Sequence, residues 1–159
     1  MALVIDTETT IFQRGNPFSR KNRLCYVGGL SERGILVIGS PIVLPDIQRE
    51  IAGASILVFF NAKFDLHYLQ RAGITYKDKR IWDCQFARFL LEAQRVFLNE
   101  NSLAEACKHY GTAPKSSYIE ETYWSNGVDT DAISEKEMLD YLTQDLVSTM
   151  EVYQAQKKL

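Results

Sequence analysis

The chain carries the stretch Val4-Ile5-Asp6-Thr7-Glu8-Thr9 close to its start, where two carboxylates interrupt an otherwise apolar strand pattern. Side chains two residues apart in a strand project from the same face, so Asp6 and Glu8 lie side by side with Cα atoms about 6.5 to 7 Å apart. Both carboxylates can therefore reach one divalent ion. A polar strand end that faces water is the usual alternative for an isolated D-x-E pair, so this stretch needs support from elsewhere in the chain.

The hydrophobic pattern beyond this strand predicts an α/β fold. Apolar runs predict strands over residues 2–8, 24–31, 34–39, 55–60 and 80–82. Helical periodicity predicts helices over residues 46–53, 63–72, 84–95, 102–110 and 134–156. The turn signal Ser31-Glu32-Arg33-Gly34 makes the second and third strands antiparallel. We expect a mixed β-sheet flanked by helices in a single domain over residues 1–159, in which residues 112–133 show only a helical turn near 118–124.

The composition is that of an ordinary globular domain, with 46% hydrophobic and 24% charged residues. A net charge of -2 excludes a protein that holds nucleic acid by a strongly basic surface. The apolar runs are shorter than the roughly 18 to 20 residues needed to cross a bilayer, so we expect no membrane contact and a cytoplasmic location. The cysteines Cys25, Cys84 and Cys107 lack C-x-x-C spacing, which predicts small buried side chains rather than disulfides or a zinc site.

A third acidic residue falls on the apolar face of a predicted helix. On a helical wheel for residues 63–72, Asp65 lies in the same arc as Phe64 and Tyr68. A carboxylate there is desolvated, which is costly unless it is protonated, hydrogen-bonded or paired with a cation. Asn61, four residues earlier, can cap this helix or orient the carboxylate through its amide. Stabilisation of the first helical turn is the alternative role for Asp65.

A fourth acidic residue lies inside the apolar face of the last predicted helix. Asp145 is near the middle of an arc that also holds Leu142 and Leu146, and Tyr141 lies one turn earlier. The i, i+4 spacing places the phenol and the carboxylate on one face, so both can address the same site. Tyr141 by itself would be assigned to the hydrophobic core, but its register with Asp145 favours a functional role.

Four inward-facing acids on an apolar scaffold would repel one another unless a cation neutralised them. Oxygen ligands without histidine or cysteine suit Mg²⁺ or Mn²⁺ and argue against zinc. Two such ions can hold an attacking hydroxide on one side of a phosphate and stabilise the leaving oxygen on the other side. The acids Asp6, Glu8, Asp65 and Asp145 therefore predict nuclease chemistry that depends on two metal ions.

Three short motifs carry a resemblance to a known family: Asp6-Thr7-Glu8-Thr9, Asn61-Ala62-Lys63-Phe64-Asp65 and Tyr141-Leu142-Thr143-Gln144-Asp145. Their order and spacing resemble the exonuclease motifs of DEDDy-class 3′-to-5′ exonucleases, most closely the proofreading domain of DNA polymerase I-type enzymes. The resemblance runs from about residue 2 to the end of the chain. Asp140 stands where the DEDDh class has its histidine, so Tyr141 favours the tyrosine class. The resemblance implies a ribonuclease H-like fold.

The resemblance also implies a role for each motif residue. Asp6, Glu8 and Asp145 would ligate one catalytic metal ion, and Asp6 would share a second ion with Asp65. Tyr141 would position the nucleophilic water rather than deprotonate it, because a phenol with a pKa of about 10 is a poor base at neutral pH. Contacts with the substrate are expected from Thr7, Phe12 and Asn61. Among these three residues, Phe12 would stack its aromatic ring on the 3′-terminal base.

The resemblance favours a metal-dependent exonuclease that removes nucleoside 5′-monophosphates from the 3′ end of single-stranded DNA, in proofreading, replication or repair. A ribonuclease D-like exoribonuclease is the close alternative, because it shares the tyrosine-class motifs. A non-catalytic nucleic-acid-binding module that assists a polymerase is a further alternative. The resemblance includes no polymerase module, so we expect the protein to act alone or with a DNA polymerase on another chain.

A basic loop over residues 13–23 follows the first acidic strand. This loop can track the phosphates of a single strand, and a solvated, mobile loop is the alternative. The polar helix positions of Lys63, His67 and Arg71 predict solvent-exposed side chains. Trp124 is expected to pack against other side chains rather than to stack on a base.

Overall fold

The computed structural model describes residues 1–95 and 101–159. The described residues form five strands and six α-helices in the predicted order. The strands are β1 (Ala2–Thr9), β2 (Leu24–Ser31), β3 (Leu36–Gly39), β4 (Ile56–Phe59) and β5 (Arg80–Asp83). The helices are α1 (Leu44–Gly53), α2 (Ala62–Arg71), α3 (Cys84–Leu91), α4 (Leu103–Tyr110), α5 (Tyr118–Thr122) and α6 (Glu135–Gln156). The predicted α/β class is confirmed.

β1 lies in the centre of the sheet, whose strand order is β3-β2-β1-β4-β5. β1 pairs antiparallel with β2, and β2 pairs antiparallel with β3, as the turn signal at residues 31–34 predicts. β4 pairs parallel with both β1 and β5, and α2 forms the crossover between β4 and β5. The sheet is therefore mixed, and β4 pairs with the first half of β1, so that its carboxyl-terminal end lies beside the middle of β1.

Alternate residues of β1 face two separate hydrophobic layers. The even-numbered residues face α6, in a cluster that includes Val4 and Leu146. The odd-numbered residues face α1 and α2, in a cluster that includes Ile5. Asp6 and Glu8 continue the even-numbered series, so both carboxylates project toward α6. The same alternation that builds the core thus sets the direction of the two acids.

The predicted helix boundaries hold where a capping residue is present. Ser102 and Ser134 begin α4 and α6, and their hydroxyl oxygens accept hydrogen bonds from the backbone N–H groups of Glu105 and Glu137. Gly111 follows α4 in the left-handed conformation, at φ 66°. These residues fix the starts of both helices and the end of α4.

The predicted helix over residues 84–95 is four residues shorter than expected and ends at Leu91. Ala93 and Gln94 both have positive φ, and the N–H of Gln94 donates to the carbonyl of Phe89 at 2.8 Å. This left-handed turn closes the helix, although neither residue is a glycine. Apolar periodicity could not predict the end, because it continues past the turn.

Two expectations from the composition can be compared with the structure. Cys84 and Cys107 are buried, but Cys25 on β2 is partly exposed, so the prediction of a buried side chain is wrong for that cysteine. Among residues 1–95 and 101–159, no helix combines the length and the apolar character that crossing a bilayer requires.

Candidate active site

Three carboxylates from two distant segments meet beside the carboxyl-terminal half of β1. One oxygen atom from each of Asp6, Glu8 and Asp145 lies within 4.8 Å of the other two. Glu8 and Asp145 are buried, and Asp6 is partly buried. Asp6 and Glu8 project toward α6, which supplies Asp145 from its central turns. The structure thus brings three of the four predicted acids together on one face of the sheet.

Asp65 lies outside this three-acid cluster and is held against β1 by Thr7. Its carboxylate is 2% exposed and accepts a hydrogen bond of 2.6 Å from the Thr7 hydroxyl. Thr7 belongs to the odd-numbered series of β1, which faces α2, and its backbone N–H donates to Asp6 Oδ1 at 3.0 Å. Thr7 therefore links the carboxylates of Asp6 and Asp65, a role that the sequence did not indicate. Its contact with a terminal nucleotide stays a prediction.

Asn61 begins α2, but within the described residues its side chain makes no capping hydrogen bond, so that part of the prediction is wrong. Asp83, at the end of β5, supplies the cap instead. Its carboxylate accepts from the N–H groups of Asn61 at 3.2 Å and Ala62 at 2.9 Å, and also from Gln85 at the start of α3 at 2.9 Å. Asp83 therefore holds two helix starts together and leaves the Asn61 side chain exposed at the site.

Tyr141 and Asp145 lie one turn apart on α6, and each is only 6% exposed. The ammonium group of Lys115 lies between them, with Nζ 3.1 Å from Asp145 Oδ2 and a hydrogen bond to the Tyr141 hydroxyl. The same ammonium lies 4.3 Å from the centroid of the Tyr141 ring, within the range of a cation–π contact. Glu120 Oε1 accepts hydrogen bonds of 2.6 Å from both Lys115 and the Tyr141 hydroxyl.

Sequence reasoning missed Lys115 and Glu120. Both lie in residues 112–133, where neither a helical nor a strand period is present and where only a helical turn is predicted. The short helix α5 confirms that turn. A lysine and a glutamate in a polar segment are typical of an exposed surface, so no local signal distinguishes them. They join the site because α5 packs against α6 through Ile119, which is fully buried.

Burial raises the pKa of each of the four predicted acids, Asp6, Glu8, Asp65 and Asp145. The pKa of Asp6 rises to about 6 and that of Asp145 to about 7, in both cases because burial disfavours the charged form, while the charge of Lys115 opposes the rise. Burial, followed by repulsion from the Asp6 carboxylate, raises the pKa of Glu8 and of Asp65. At neutral pH the charged forms of these acids are therefore disfavoured unless further cations neutralise them.

The phenol and the ammonium group both keep their protons at neutral pH. Burial, together with the nearby charges of Asp145 and Glu8, raises the pKa of Tyr141 far above its ordinary value. Burial lowers the pKa of Lys115, but the carboxylates of Asp145 and Glu120 outweigh burial and raise that pKa above its ordinary value. Tyr141 is thus a neutral hydrogen-bonding group, and Lys115 is a fixed positive charge.

The acids and the phenol line a cavity of about 600 Å³. Its walls also include Arg14, Phe64 and Trp124. Trp124 packs edge-on against the Tyr141 ring, with 5.7 Å between ring centroids, so it combines the predicted packing role with a place on the cavity wall. Phe12, the predicted stacking residue, is 40% exposed in the loop that follows β1. Its contact with a base stays a prediction.

The loop between β1 and β2, residues 10–23, is tied to α2 and to itself. Tyr68 donates a hydrogen bond of 2.9 Å to the carbonyl of Gly15, and Arg71 donates to the carbonyls of Pro17 and Asn22 at 3.0 and 3.2 Å. The side chain of Asn22 is buried within the loop. These contacts argue against a mobile loop. Arg71 is solvent-exposed as predicted, but it also anchors the loop.

The donor atoms of the three-acid cluster fit a hard divalent cation. All of them are carboxylate oxygens, as Mg²⁺ and Mn²⁺ prefer. Asp145 Oδ1 is buried and has no hydrogen-bond partner among the described residues, whereas Oδ2 contacts Lys115. A buried carboxylate oxygen without a partner is costly, and a bound cation would supply that partner.

Comparison with known proteins places the chain in a family. The sequence profile of the 3′-5′ exonuclease family matches residues 3–159, so the chain belongs to this family of phosphodiester hydrolases. This match confirms the exonuclease resemblance found in the motifs. Comparison with curated protein sequences found no match.

Two solved structures share the fold at low sequence identity. The family B DNA polymerase from the hyperthermophilic archaeon Pyrobaculum calidifontis has a TM-score of 0.68 and 11% identity over 96% of this chain. The RNase D of Trypanosoma brucei, in complex with RNA U12, has a TM-score of 0.68 and 13% identity over 97% of this chain. The chain spans only 24% of the polymerase chain and 54% of the RNase D chain. The similarities confirm the ribonuclease H-like exonuclease fold.

Proposed function

We propose that residues 1–159 form a metal-dependent 3′-to-5′ exonuclease domain that hydrolyses single-stranded DNA from its 3′ end and releases nucleoside 5′-monophosphates. The observation that carries this proposal is the convergence of Asp6, Glu8, Asp65 and Asp145 with Tyr141 on one cavity. These acids come from three separate segments. Burial raises their pKa values, and repulsion from neighbouring carboxylates adds to the rise at Glu8, Asp65 and Asp145, which is costly for a protein that never binds cations there.

The carboxylates divide into two overlapping sets of metal ligands. Asp6, Glu8 and Asp145 would hold one divalent ion, and Asp6 with Asp65 would hold a second. Two bound Mg²⁺ or Mn²⁺ ions supply a water of lowered pKa and stabilise negative charge on the phosphate and on the leaving oxygen. Thr7 orients Asp6 and Asp65 for this task through its N–H and its hydroxyl.

Tyr141 orients the attacking water, because its phenol keeps its proton and cannot act as a base at neutral pH. The water oxygen bonds to the phosphorus of the terminal nucleotide. The attacking water releases one proton to solvent, the bond from that phosphorus to the 3′ oxygen of the preceding nucleotide breaks, and the leaving oxygen takes up one proton from solvent. The products are a nucleoside 5′-monophosphate and a strand that is one nucleotide shorter and ends in a 3′ hydroxyl.

Residues around the cavity would bind the terminal nucleotides. Phe12 is partly exposed on the tethered loop, and a base that stacks on its ring is bound without regard to sequence. Asn61 presents its exposed side chain at the cavity, and Thr7 lies at its floor. Arg14 adds a positive charge to the cavity wall, which suits a phosphate.

A ribonuclease D-like exoribonuclease is the second candidate function. The fold similarity to the Trypanosoma brucei RNase D, whose structure contains RNA U12, supports RNA as a substrate. The similarity to the family B DNA polymerase supports DNA as the substrate, and the partnership with a DNA polymerase stays a proposal. Retention of Asp6, Glu8, Asp65, Tyr141 and Asp145 speaks against a non-catalytic module.

Digestion of single strands labelled at the 5′ end tests the proposal. Matched DNA and RNA oligonucleotides are incubated with the protein in Mg²⁺, in Mn²⁺ and in EDTA, with Asp6→Ala as the inactive control. We expect a descending ladder on DNA that requires metal and is absent with D6A. Internal cuts or cleavage in EDTA would contradict the proposal, and a ladder on RNA alone would establish the second candidate instead.

A further inference from the structure

The carboxylate of Glu120 lies directly against the hydroxyl of Tyr141. Glu120 Oε1 accepts the Tyr141 hydroxyl proton in a hydrogen bond of 2.6 Å that joins residues 21 positions apart. Glu120 is held there by α5, whose Ile119 is fully buried in a cluster with Met138 and Tyr141 of α6. Packing of α5 therefore fixes the backbone position of Glu120, while 38% of its side chain is exposed.

The hydrogen-bonding capacity of a phenol makes this contact informative. A neutral tyrosine hydroxyl has one proton to donate, while its oxygen can accept hydrogen bonds through lone pairs. The Tyr141 hydroxyl donates its hydrogen bond to Glu120, and the ammonium group of Lys115 donates a hydrogen bond to the hydroxyl oxygen. Any further partner of the Tyr141 oxygen that enters the cavity must therefore be a hydrogen-bond donor.

We propose that Glu120 is a positioning residue for the nuclease reaction. Because Glu120 accepts the hydrogen bond that the Tyr141 hydroxyl donates, the phenol oxygen can interact with the attacking water only by accepting a hydrogen bond from it. A water held in this way donates one of its protons to Tyr141, so the lone pairs of the water oxygen are directed away from the phenol. The proposal rests on the exonuclease function proposed above and adds the residue that fixes the direction of the Tyr141 hydrogen bond.

Lys115 holds the Glu120 carboxylate beside the site. Its ammonium donates to Glu120 Oε1 at 2.6 Å and lies 3.1 Å from Asp145 Oδ2, so one cation bridges the positioning carboxylate and a predicted metal ligand. Glu120 Oε2 is buried and has no hydrogen-bond partner among the described residues.

The neighbouring Glu121 is a matched control. It has the same side chain and the same helix, but its carboxylate accepts a hydrogen bond of 2.6 Å from the Ser117 hydroxyl on the exposed side. Glu121→Ala removes the same charge from α5 as Glu120→Ala does, but it leaves the contact between Glu120 and Tyr141 in place. Glu120→Gln is the conservative variant, because its amide oxygen can still accept the hydroxyl proton.

The kinetic test uses single-turnover cleavage of a 5′-labelled strand in Mn²⁺ by wild type, E120A, E120Q, E121A, Y141F and the double variant E120A/Y141F. We expect E120A to lower the rate constant about 10- to 100-fold, the effect of one hydrogen bond to a charged group, without changing the concentration of protein that gives half-maximal rate. E121A should retain the rate constant to within about threefold, and E120Q, which keeps an acceptor oxygen but loses the charge, should fall between E121A and E120A. In the Y141F background, E120A should have no further effect, because Glu120 acts through the phenol.

A second readout needs no activity. In metal-free protein with isotope-labelled tyrosine, the Tyr141 Cζ resonance is assigned by its loss in Y141F, and it should move in E120A but stay in place in E121A. An unmoved resonance in E120A would overturn the proposal even if the wild type proved inactive. An equal loss of rate from E120A in wild type and in Y141F would also overturn it, because Glu120 would then act without Tyr141. An inactive wild type with the expected resonance shift would instead refute the exonuclease function and leave the contact standing.

Discussion

Gly28 on β2 lies directly opposite Asp6 on β1, and the absence of a side chain at Gly28 leaves the space that Leu146 of α6 occupies. A Cβ atom placed on Gly28 would be 2.6 Å from Leu146 Cδ1 and 3.2 Å from Leu142 Cδ2. Leu146 directly follows Asp145 on α6. The glycine therefore allows the close packing of α6 on the sheet that brings Asp145 to Asp6.

Gly28→Ala should move α6 away from the sheet or strain the packing between α6 and the sheet. We expect a loss of about 1 to 3 kcal/mol in the free energy of unfolding, as for other overpacked cores, together with weaker Mn²⁺ binding. Gly53→Ala is the control, because no described atom lies within 4 Å of a Cβ at that position on α1. Chemical denaturation measures the stability of both. A G28A protein with wild-type stability and wild-type Mn²⁺ affinity would show that the glycine does not set this distance.

Lys115→Met should reveal the competition between the ammonium group and a metal ion for Asp145. Removing one partner of a buried ion pair costs up to about 3 to 5 kcal/mol, so the metal-free variant should melt below the wild type. Mn²⁺ should raise the melting temperature of K115M by more than that of the wild type, because the acids then have no other cation. The exposed pair between Lys136 and Asp140 supplies the control K136M, for which both quantities should be close to wild type. Equal Mn²⁺-induced shifts in K115M and wild type would count against this competition.

The stability of the metal-free protein should fall as the pH rises from about 4 to about 7, through the contribution of Asp6 and Asp145. In the folded protein their pKa values are raised to about 6 and about 7, so the unfolded chain loses these protons first as the pH rises. Their contribution is therefore fully present below the ordinary aspartate pKa and is lost as the pH passes through the raised values. Melting curves of the wild type and of D6N/D145N, recorded between about pH 4 and pH 7, isolate the contribution of these two carboxyl groups to stability. A difference between the two curves that is flat or has the opposite slope would be inconsistent with buried, raised carboxyl groups.

The fold and the acid cluster were predictable where they depend on local periodicity. The strand alternation that places Asp6 and Glu8 on one face also builds the core on either side of β1. The one-turn spacing of Tyr141 and Asp145 persists in α6, whose start is marked by Ser134. In each case one periodic element determines both the packing face and the functional residues on it.

The remaining features depend on contacts between segments that are far apart in the sequence. Asp83 caps a helix start 22 residues earlier and takes the capping role that was predicted for Asn61. Lys115 reaches Tyr141 across 26 residues from a segment without any period. The hydrogen bond from Thr7 to Asp65 could not be predicted from the sequence. It exists because α2 packs against the odd-numbered face of β1, and only the assembled sheet shows that packing. Such side chains have no pattern of their own until the tertiary structure is known.

Calorimetric titration of the metal-free protein with Mn²⁺ tests the central claim most directly, because it measures cation binding by the acid cluster without reference to a substrate. The wild type is compared with Asp145→Asn and with Asp140→Asn, which changes an exposed carboxylate on the same helix. We predict binding to the wild type and to D140N, and a loss of affinity of about 100-fold or more in D145N. Equal binding to D145N and the wild type, or no binding to the wild type, would contradict the account.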